Sequence, residues 1–291
     1  MFEHMKESLR VMGDYSELQS IKNISGGDIN DAYFVKSEKQ EYFIKLNQGV
    51  SEDFFQIEQE GLERLSQVDN VNTPKPYGIW VDETTSIQSF VMEWIQGELL
   101  SNTVDQLANS VASLHSEKSS QYGYPTDTFI GEIRQENGLW DDWVEYLNQC
   151  RYQRQLDIAI EKGKMPKNRQ QKLEALIENM DNYIPRKPDA VLLHGDLWSG
   201  NWLNGSDGQV YLIDPSVFYG DREFELAFTE LFGGFPQRFY DVYRDYHPLS
   251  KGYEDKKGIY QLFYLLVHLN VFGEMYGKQV DRLLDRYVGK K

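Results

Sequence analysis

Asp196 and Asn201 stand five positions apart in His194-Gly195-Asp196-Leu197-Trp198-Ser199-Gly200-Asn201. Phosphoryl-transfer loops use that spacing, the carboxylate taking the proton of an attacking hydroxyl while the amide oxygen holds a metal on the phosphates. A further acid, Asp214, ends the apolar run at residues 210–213 and follows the loop in chain order, where a Mg2+-binding carboxylate belongs. Each acid alone also fits an ordinary turn residue at a strand end. The order Asp, Asn, Asp is what points to chemistry. Upstream, Lys45 ends Tyr42-Phe43-Ile44-Lys45, and Glu58 sits four residues after Phe54 and four before Leu62. An acid on an apolar helical stripe is costly to bury unless it is paired. Lys45 is its natural partner, and the pair would position the α- and β-phosphates of ATP. A partly exposed Glu at a helix edge is the plainer alternative.

Other residues carry less. Gly26 and Gly27, in Ser25-Gly26-Gly27-Asp28-Ile29-Asn30, would let backbone N–H groups approach phosphate. A Gly-Gly turn is nonetheless common in any hairpin, and this one departs from the G-x-G-x-x-G form. Met92 and Glu93, in Phe90-Val91-Met92-Glu93-Trp94, lie where an adenine would meet backbone groups, although a plain core strand fits equally. Trp198 stands between base and metal ligand, where its ring could pack on a sugar, and Trp140 is a weaker candidate for the same cleft. His194 reads as fixing loop geometry, His115 as a packed core residue, and Asp221 as the cap of a helix beginning at Arg222 or a brace for the catalytic loop.

These residues need elements to hold them. Residues 18–24, 32–36 and 42–46 are short β-branched and aromatic runs separated by polar turns at 25–30 and 37–40. Ser51 is a good N-cap, with Glu52 and Asp53 at the positive end of a helix carrying Phe54, Leu62 and Leu65. Strands resume at 77–81 and 89–95, after Pro74 and Pro76. From Asn102 the pattern turns helical, with a stripe of Val104, Leu107, Ala108, Val111 and Leu114. Helices are expected over 138–161, 167–183, 222–231 and 253–272, with short apolar runs at 190–193 and 210–213. The expected fold is α+β, bilobal and protein-kinase-like. A small β-rich nucleotide-binding lobe spans residues 1–95, and a larger, mainly helical catalytic and substrate-binding lobe spans 96–291.

The chain as a whole is compatible with this. Its 291 residues suit about two domains, and an aromatic share of 14% with 19 Tyr implies that large rings do much of the packing. A formal charge of −16 without a basic run argues against nucleic acid and anionic membranes, and leans toward a cationic or neutral substrate. Cys150 is the single cysteine, so no internal disulfide or cysteine-based zinc cluster can form. The opening residues lack an apolar signal-peptide core, and 260–273 is too short and too interrupted to span a bilayer, so a cytoplasmic location is expected. Neither the G-x-x-x-x-G-K-[ST] loop, H-E-x-x-H nor G-x-S-x-G occurs. Nothing in the sequence sets the oligomeric state.

From about Ile24 to Gly277 the sequence resembles the fructosamine kinase (ketosamine 3-kinase) family, relatives of the aminoglycoside and choline kinases. The similarity rests on Gly26-Gly27, Phe43-Ile44-Lys45, Phe55-Gln56-Ile57-Glu58 with Gly61-Leu62, and Phe90-Val91-Met92-Glu93. Its most specific parts are Leu193 through Asn201 and Ile213-Asp214-Pro215. It continues through Phe218-Tyr219-Gly220-Asp221, Glu223 to Ala227 and Phe232-Gly233-Gly234-Phe235-Pro236. The resemblance implies ATP- and Mg2+-dependent phosphorylation of the 3-hydroxyl of ketoamines, small or protein-bound, after which the 3-phosphate decomposes and frees the amine. Some relatives carry a Cys in the glycine-rich turn, and this chain does not. An aminoglycoside- or choline-type kinase is the alternative within phosphotransferases, and a non-catalytic ATP-binding protein the alternative outside them.

Overall fold

Alternation along the strand Glu41–Gln48 sets the layout of the N-terminal half. Tyr42, Ile44 and Leu46 point to one face, where they join Val35, Val91 and the helix Phe2–Val11 through Met5 and Leu9. Phe43 and Lys45 therefore point to the other face. This strand is the middle of a five-stranded antiparallel sheet in the order Leu18–Ile24, Asp31–Ser37, Glu41–Gln48, Ile87–Glu93, Pro76–Val81. These are properties of a computed structural model, which describes residues 2–24 and 29–289.

Two details differ from the sequence reading. The second helix runs Phe54–Ser66 and starts after Asp53, whose side chain makes no capping bond. Ser51 instead closes the preceding turn, its carbonyl accepting the Phe54 N–H at 3.1 Å. The fifth strand is Ile87–Glu93 rather than 89–95, because Trp94 has already left the ladder. The helix Phe2–Val11 was not foreseen. It is anchored by Ser8, whose hydroxyl donates to Ser89 Oγ at 3.0 Å, as well as by Met5 and Leu9.

Contacts divide the chain into two compact units. The first takes in residues up to Ser110 together with Asn201–Pro215, and the second Val111–Gly200 together with Ser216 onward. The division thus falls inside the helix Thr103–Leu114 and brings a later segment, the paired strands Trp202–Asn204 and Val210–Leu212, into the first unit.

The second unit is mainly helical around a ring-rich core in which Trp143, Tyr146, Tyr152, Phe218, Phe224, Phe228, Phe263 and Tyr264 are almost wholly buried. The helix Tyr253–Phe272 has the bounds its sequence predicts. Residues 138–161 do not form one helix. Gly138, at φ 75°, opens a short strand, Gly138–Trp140, and Asp142 then caps a new start by accepting the Glu145 N–H. A wide π turn over Leu147–Gln153 precedes the helix Arg154–Glu161. The helix expected at 167–183 ends at Glu178, and that expected at 222–231 ends at Thr229. A second sheet, in the order Gly138–Trp140, Tyr122–Tyr124, Phe218–Gly220, Ala190–Leu193, Lys118–Ser119, was largely unforeseen, because such short strands carry too little alternation to read. Among the described residues no helix is long and apolar enough to cross a membrane.

Candidate active site

In the first unit, Lys45 is the centre of a charged cluster. Its ammonium donates to Glu58 Oε1 at 2.6 Å and also to the Asp214 carboxylate. The strand turns Lys45 away from the face shared by Tyr42 and Ile44, and the helix Phe54–Ser66 presents Glu58 on the stripe of Phe54 and Leu62. Burial opposes the charge on Lys45, but the two carboxylates raise its pKa well above the ordinary lysine value. Burial pushes Glu58 upward, Lys45 pulls it down, and the nearby Asp214 adds to the rise. A cation facing two acids in a desolvated site is held firmly and aimed by both.

Asp214 reaches this position by an uncommon backbone. It follows the strand Val210–Leu212 with φ 55°, a left-handed conformation that a non-glycine residue keeps only when its surroundings impose it. Pro215 helps impose it by seating against Gly61, three residues beyond Glu58, where an added Cβ would lie 2.9 Å from the proline ring. The Asn201 carbonyl accepts the Ile213 N–H at 3.1 Å, which brings Asn201 beside the residue preceding Asp214. One carboxylate and one carboxamide are hard oxygen donors suited to Mg2+, which takes its remaining ligands from phosphate and water. Among the described residues no group of three or more His, Cys, Asp or Glu side chains could hold a metal ion unaided.

Met92 is buried opposite Phe43 in the ladder, and Glu93 is tied to Lys75 by its N–H and its carboxylate. Trp94 packs edge-on to Phe34 at 4.8 Å and lies 6.2 Å from Phe43. Phe43 shares the Lys45 face, two residues earlier, so these rings place an aromatic cluster on that face. Sequence reading missed them, although alternation from Lys45 would have found Phe43. Gly26 and Gly27 lie outside the described residues.

In the second unit, the strand Ala190–Leu193 delivers the loop that carries Asp196. Gly195 has φ 87°, and a Cβ there would lie 1.9 Å from the Ser216 carbonyl, so only glycine fits. The Ser216 N–H donates to the His194 carbonyl at 2.8 Å, the Tyr264 hydroxyl donates to the Gly195 carbonyl at 3.1 Å, and the Asp196 N–H donates to His194 Nδ1 at 3.3 Å. His194 is fully buried within this frame. Asp196 is half-buried, and Trp198 is 40% exposed with its ring laid against Gly200.

Behind the loop, Glu225 accepts the Gly195 N–H at 2.7 Å through one oxygen and meets His115 Nε2 at 3.0 Å through the other. His115 Nδ1 lies 2.6 Å from the Tyr243 hydroxyl. Burial alone would raise Glu225, but His115, His194 and the Gly195 N–H together hold it below its ordinary value. His115 is therefore a core residue, as read, and a linked one. The sequence does not single out Glu225: Phe224 and Leu226 are its immediate neighbours, not apolar residues at the four-residue spacing that places Glu58 on a stripe. Asp221 does cap the helix Arg222–Thr229, accepting the Glu223 N–H at 3.0 Å, and also binds Lys256 and Tyr260 at 2.7 Å each. Trp140 lies on the edge strand, not on a helix, its Nε1–H bonded to the Asn137 carbonyl.

A model of the fructosamine kinase family matches residues 1–290 of this chain. A protein of Enterococcus faecium, named a probable ketoamine kinase, is 38% identical over 280 residues, which cover 95% of this chain and 98% of that one. A solved structure of a Haemophilus somnus protein, provisionally described as a fructosamine-3-kinase, is similar with a TM-score of 0.88 at 26% identity, covering 98% of this chain and 97% of its own. An aminoglycoside phosphotransferase solved with ADP and hygromycin B has a TM-score of 0.63 at 16% identity, covering 98% and 99% of the two chains, which is a similarity of fold.

Proposed function

The chain belongs to the fructosamine kinase family, and we propose that it transfers the γ-phosphoryl group of ATP to the 3-hydroxyl of a ketoamine. The observation that carries this reading is Lys45 held between Glu58 and Asp214, the arrangement that grips nucleotide phosphates in kinase-like folds.

In the proposed mechanism Lys45 binds the α- and β-phosphate oxygens and Glu58 keeps it aimed. Asp214 and Asn201 would hold Mg2+, whose chemistry is to neutralise charge building on the phosphates. The Phe34, Phe43 and Trp94 rings, with Met92 and Glu93, line the place for the base. Asp196 orients the substrate hydroxyl and accepts its proton as the bond from oxygen to the γ-phosphorus forms and the bond to ADP breaks. Trp198 packs on the sugar. The 3-phosphate product then eliminates and releases the amine, a repair of glycated amines.

The test is an acceptor panel in which ketoamines of different sugar length are set beside an aminoglycoside and choline. Ketoamine turnover is expected to dominate, and turnover of choline or aminoglycoside alone would replace the reading. In the same assay Asp196→Asn should lower kcat by roughly 10²–10⁴, as loss of a general base does. Its affinity for ATP should hold.

A further inference from the structure

A hairpin of the second unit, Thr128–Ile130 paired with Ile133–Gln135, takes no part in the chemistry above. Its end residues Thr128 and Gln135 face each other across the ladder, and both are buried. Both reach the hydroxyl of Ser216. Gln135 Nε2 donates to Ser216 Oγ at 2.5 Å, and Ser216 Oγ donates to Thr128 Oγ1 at 3.3 Å. The hydroxyl is thus fixed in place and in direction, with one neighbour donating and the other accepting. Gln135 Oε1 is buried and makes no hydrogen bond among the described residues. A half-satisfied buried amide costs stability, and an apolar side chain of similar size would avoid that cost. Only its donating end is used.

Ser216 frames the loop that carries Asp196. Its N–H holds the His194 carbonyl at 2.8 Å, and its own carbonyl presses on Gly195 so closely that no side chain fits there. Asp196 is the next residue. The hairpin in turn is tied to the ring-rich core, where Ile130 and Ile133 are buried. Asn137 makes the tie. Its Nδ2 donates to the Thr126 carbonyl at 2.9 Å and to Thr128 Oγ1 at 3.2 Å. Its Oδ1 accepts from the Tyr146 hydroxyl and from Arg151, at 2.8 Å each. The Arg151 guanidinium is itself fully buried, 4.8 and 4.5 Å from the ring centroids of Tyr146 and Phe218, which anchors that end. Contacts therefore run unbroken from the core through Asn137 and Thr128 to Ser216, and on to the backbone before Asp196.

We infer that Gln135 is a positioning residue for Asp196: its amide N–H holds the Ser216 hydroxyl, and Ser216 sets the His194-Gly195 backbone that delivers the carboxylate. The inference rests on the reading of Asp196 as the base of a ketoamine kinase and deepens it. Positioning is a large part of what a phosphoryl-transfer site supplies. A small displacement of the carboxylate therefore slows transfer without weakening the binding of either substrate.

The experiment is a double-mutant cycle in steady-state kinetics with ATP and a ketoamine, on Gln135→Met, Ser216→Ala and the two combined. Each single variant should lower kcat about five- to tenfold, the size of one neutral hydrogen bond, and leave both KM values within about twofold. Because both act through one contact, the combined variant should lose no more than the larger single loss, whereas independent sites would multiply. Multiplied losses, an unchanged kcat in either single variant, or a loss confined to KM for ketoamine overturns the inference. Ser216→Ala removes one oxygen, so its kcat keeps the test valid should Gln135→Met fail to fold. The parent and Asp196→Asn are measured beside them. A parent without ketoamine turnover overturns the ketoamine reading, and an Asp196→Asn variant as fast as the parent overturns the base, each taking this inference with it. With both controls as expected, the cycle tests Gln135 alone.

Discussion

The Glu225 carboxylate accepts the backbone N–H of Gly195 at 2.7 Å, one residue before Asp196. A side chain from the helix Arg222–Thr229 thus fixes the main chain that carries the proposed base, and its second oxygen is itself fixed by His115. Removing the acid leaves a buried N–H and a buried imidazole without their acceptor. Glu225→Ala should cost about 3–5 kcal/mol of stability, measured by chemical denaturation. Glu225→Gln keeps an acceptor, so it should lose less stability while still lowering kcat. Equal stability of parent and Ala variant would show that the loop is held by its other bonds.

Lys45 and its two acids should separate nucleotide effects from acceptor effects. Lys45→Met is expected to lower kcat/KM for ATP by on the order of 10²–10³, the loss typical of one electrostatic contact to transition-state charge. Glu58→Gln should lose less, since it keeps a bond to the ammonium. Asp214→Asn should stop Mg2+-dependent turnover. Near-normal rates in the Asp214 variant would mean that the metal is held elsewhere.

Trp198 can be tested from two directions. Trp198→Ala should raise KM for ketoamine far more than for ATP. Gly200→Ala should give the same pattern while keeping the ring, because its Cβ would lie 2.4 Å from the indole and push it aside. A loss shared equally by both substrates in steady-state kinetics would make the ring a support of the loop.

Asp14 gives a pH dependence unrelated to catalysis. Burial alone would raise its pKa, but bonds from Ser16, Ser37 and Tyr42 outweigh that and bring it down to about 2. A carboxylate with a depressed folded-state pKa contributes stability above its unfolded value, near 4, and loses it as the pH falls toward 2. Asp14→Asn should therefore lower Tm at pH 7, and the gap from the parent should close between about pH 4 and pH 2. A gap that persists at pH 2 would tie the loss to packing.

The residues proposed to be catalytic are legible because their signals are local. Asp196, Asn201 and Asp214 are read from spacing, and the Lys45–Glu58 pair from an acid on an apolar stripe. What stayed hidden depended on distance along the chain. Glu225 lies 30 residues from Gly195, and nothing near either residue announces the bond. The strand Gly138–Trp140 reads as helix in the sequence because Trp143, Val144 and Leu147 continue at helical spacing just beyond it, and three residues cannot outweigh that signal. Phe2–Val11 was overlooked because its partners, Val35 and Val91, come from distant strands.

The return of Asn201–Pro215 to the first unit has a consequence for synthesis. A chain emerging from the ribosome folds from its N-terminal end as units become available. The sheet that bears Lys45 can pair its strands once Glu93 is out, yet the ammonium then has Glu58 as its acid and lacks Asp214. More than a hundred residues must follow before residues 201–215 supply the second carboxylate and the Asn201 amide. The half proposed to grip nucleotide is therefore not encoded as a contiguous piece, and a fragment ending at Ser110 would carry the lysine without the groups assigned to its metal. A nascent chain completes the Lys45 cluster only after the loop bearing Asp196 has already been made.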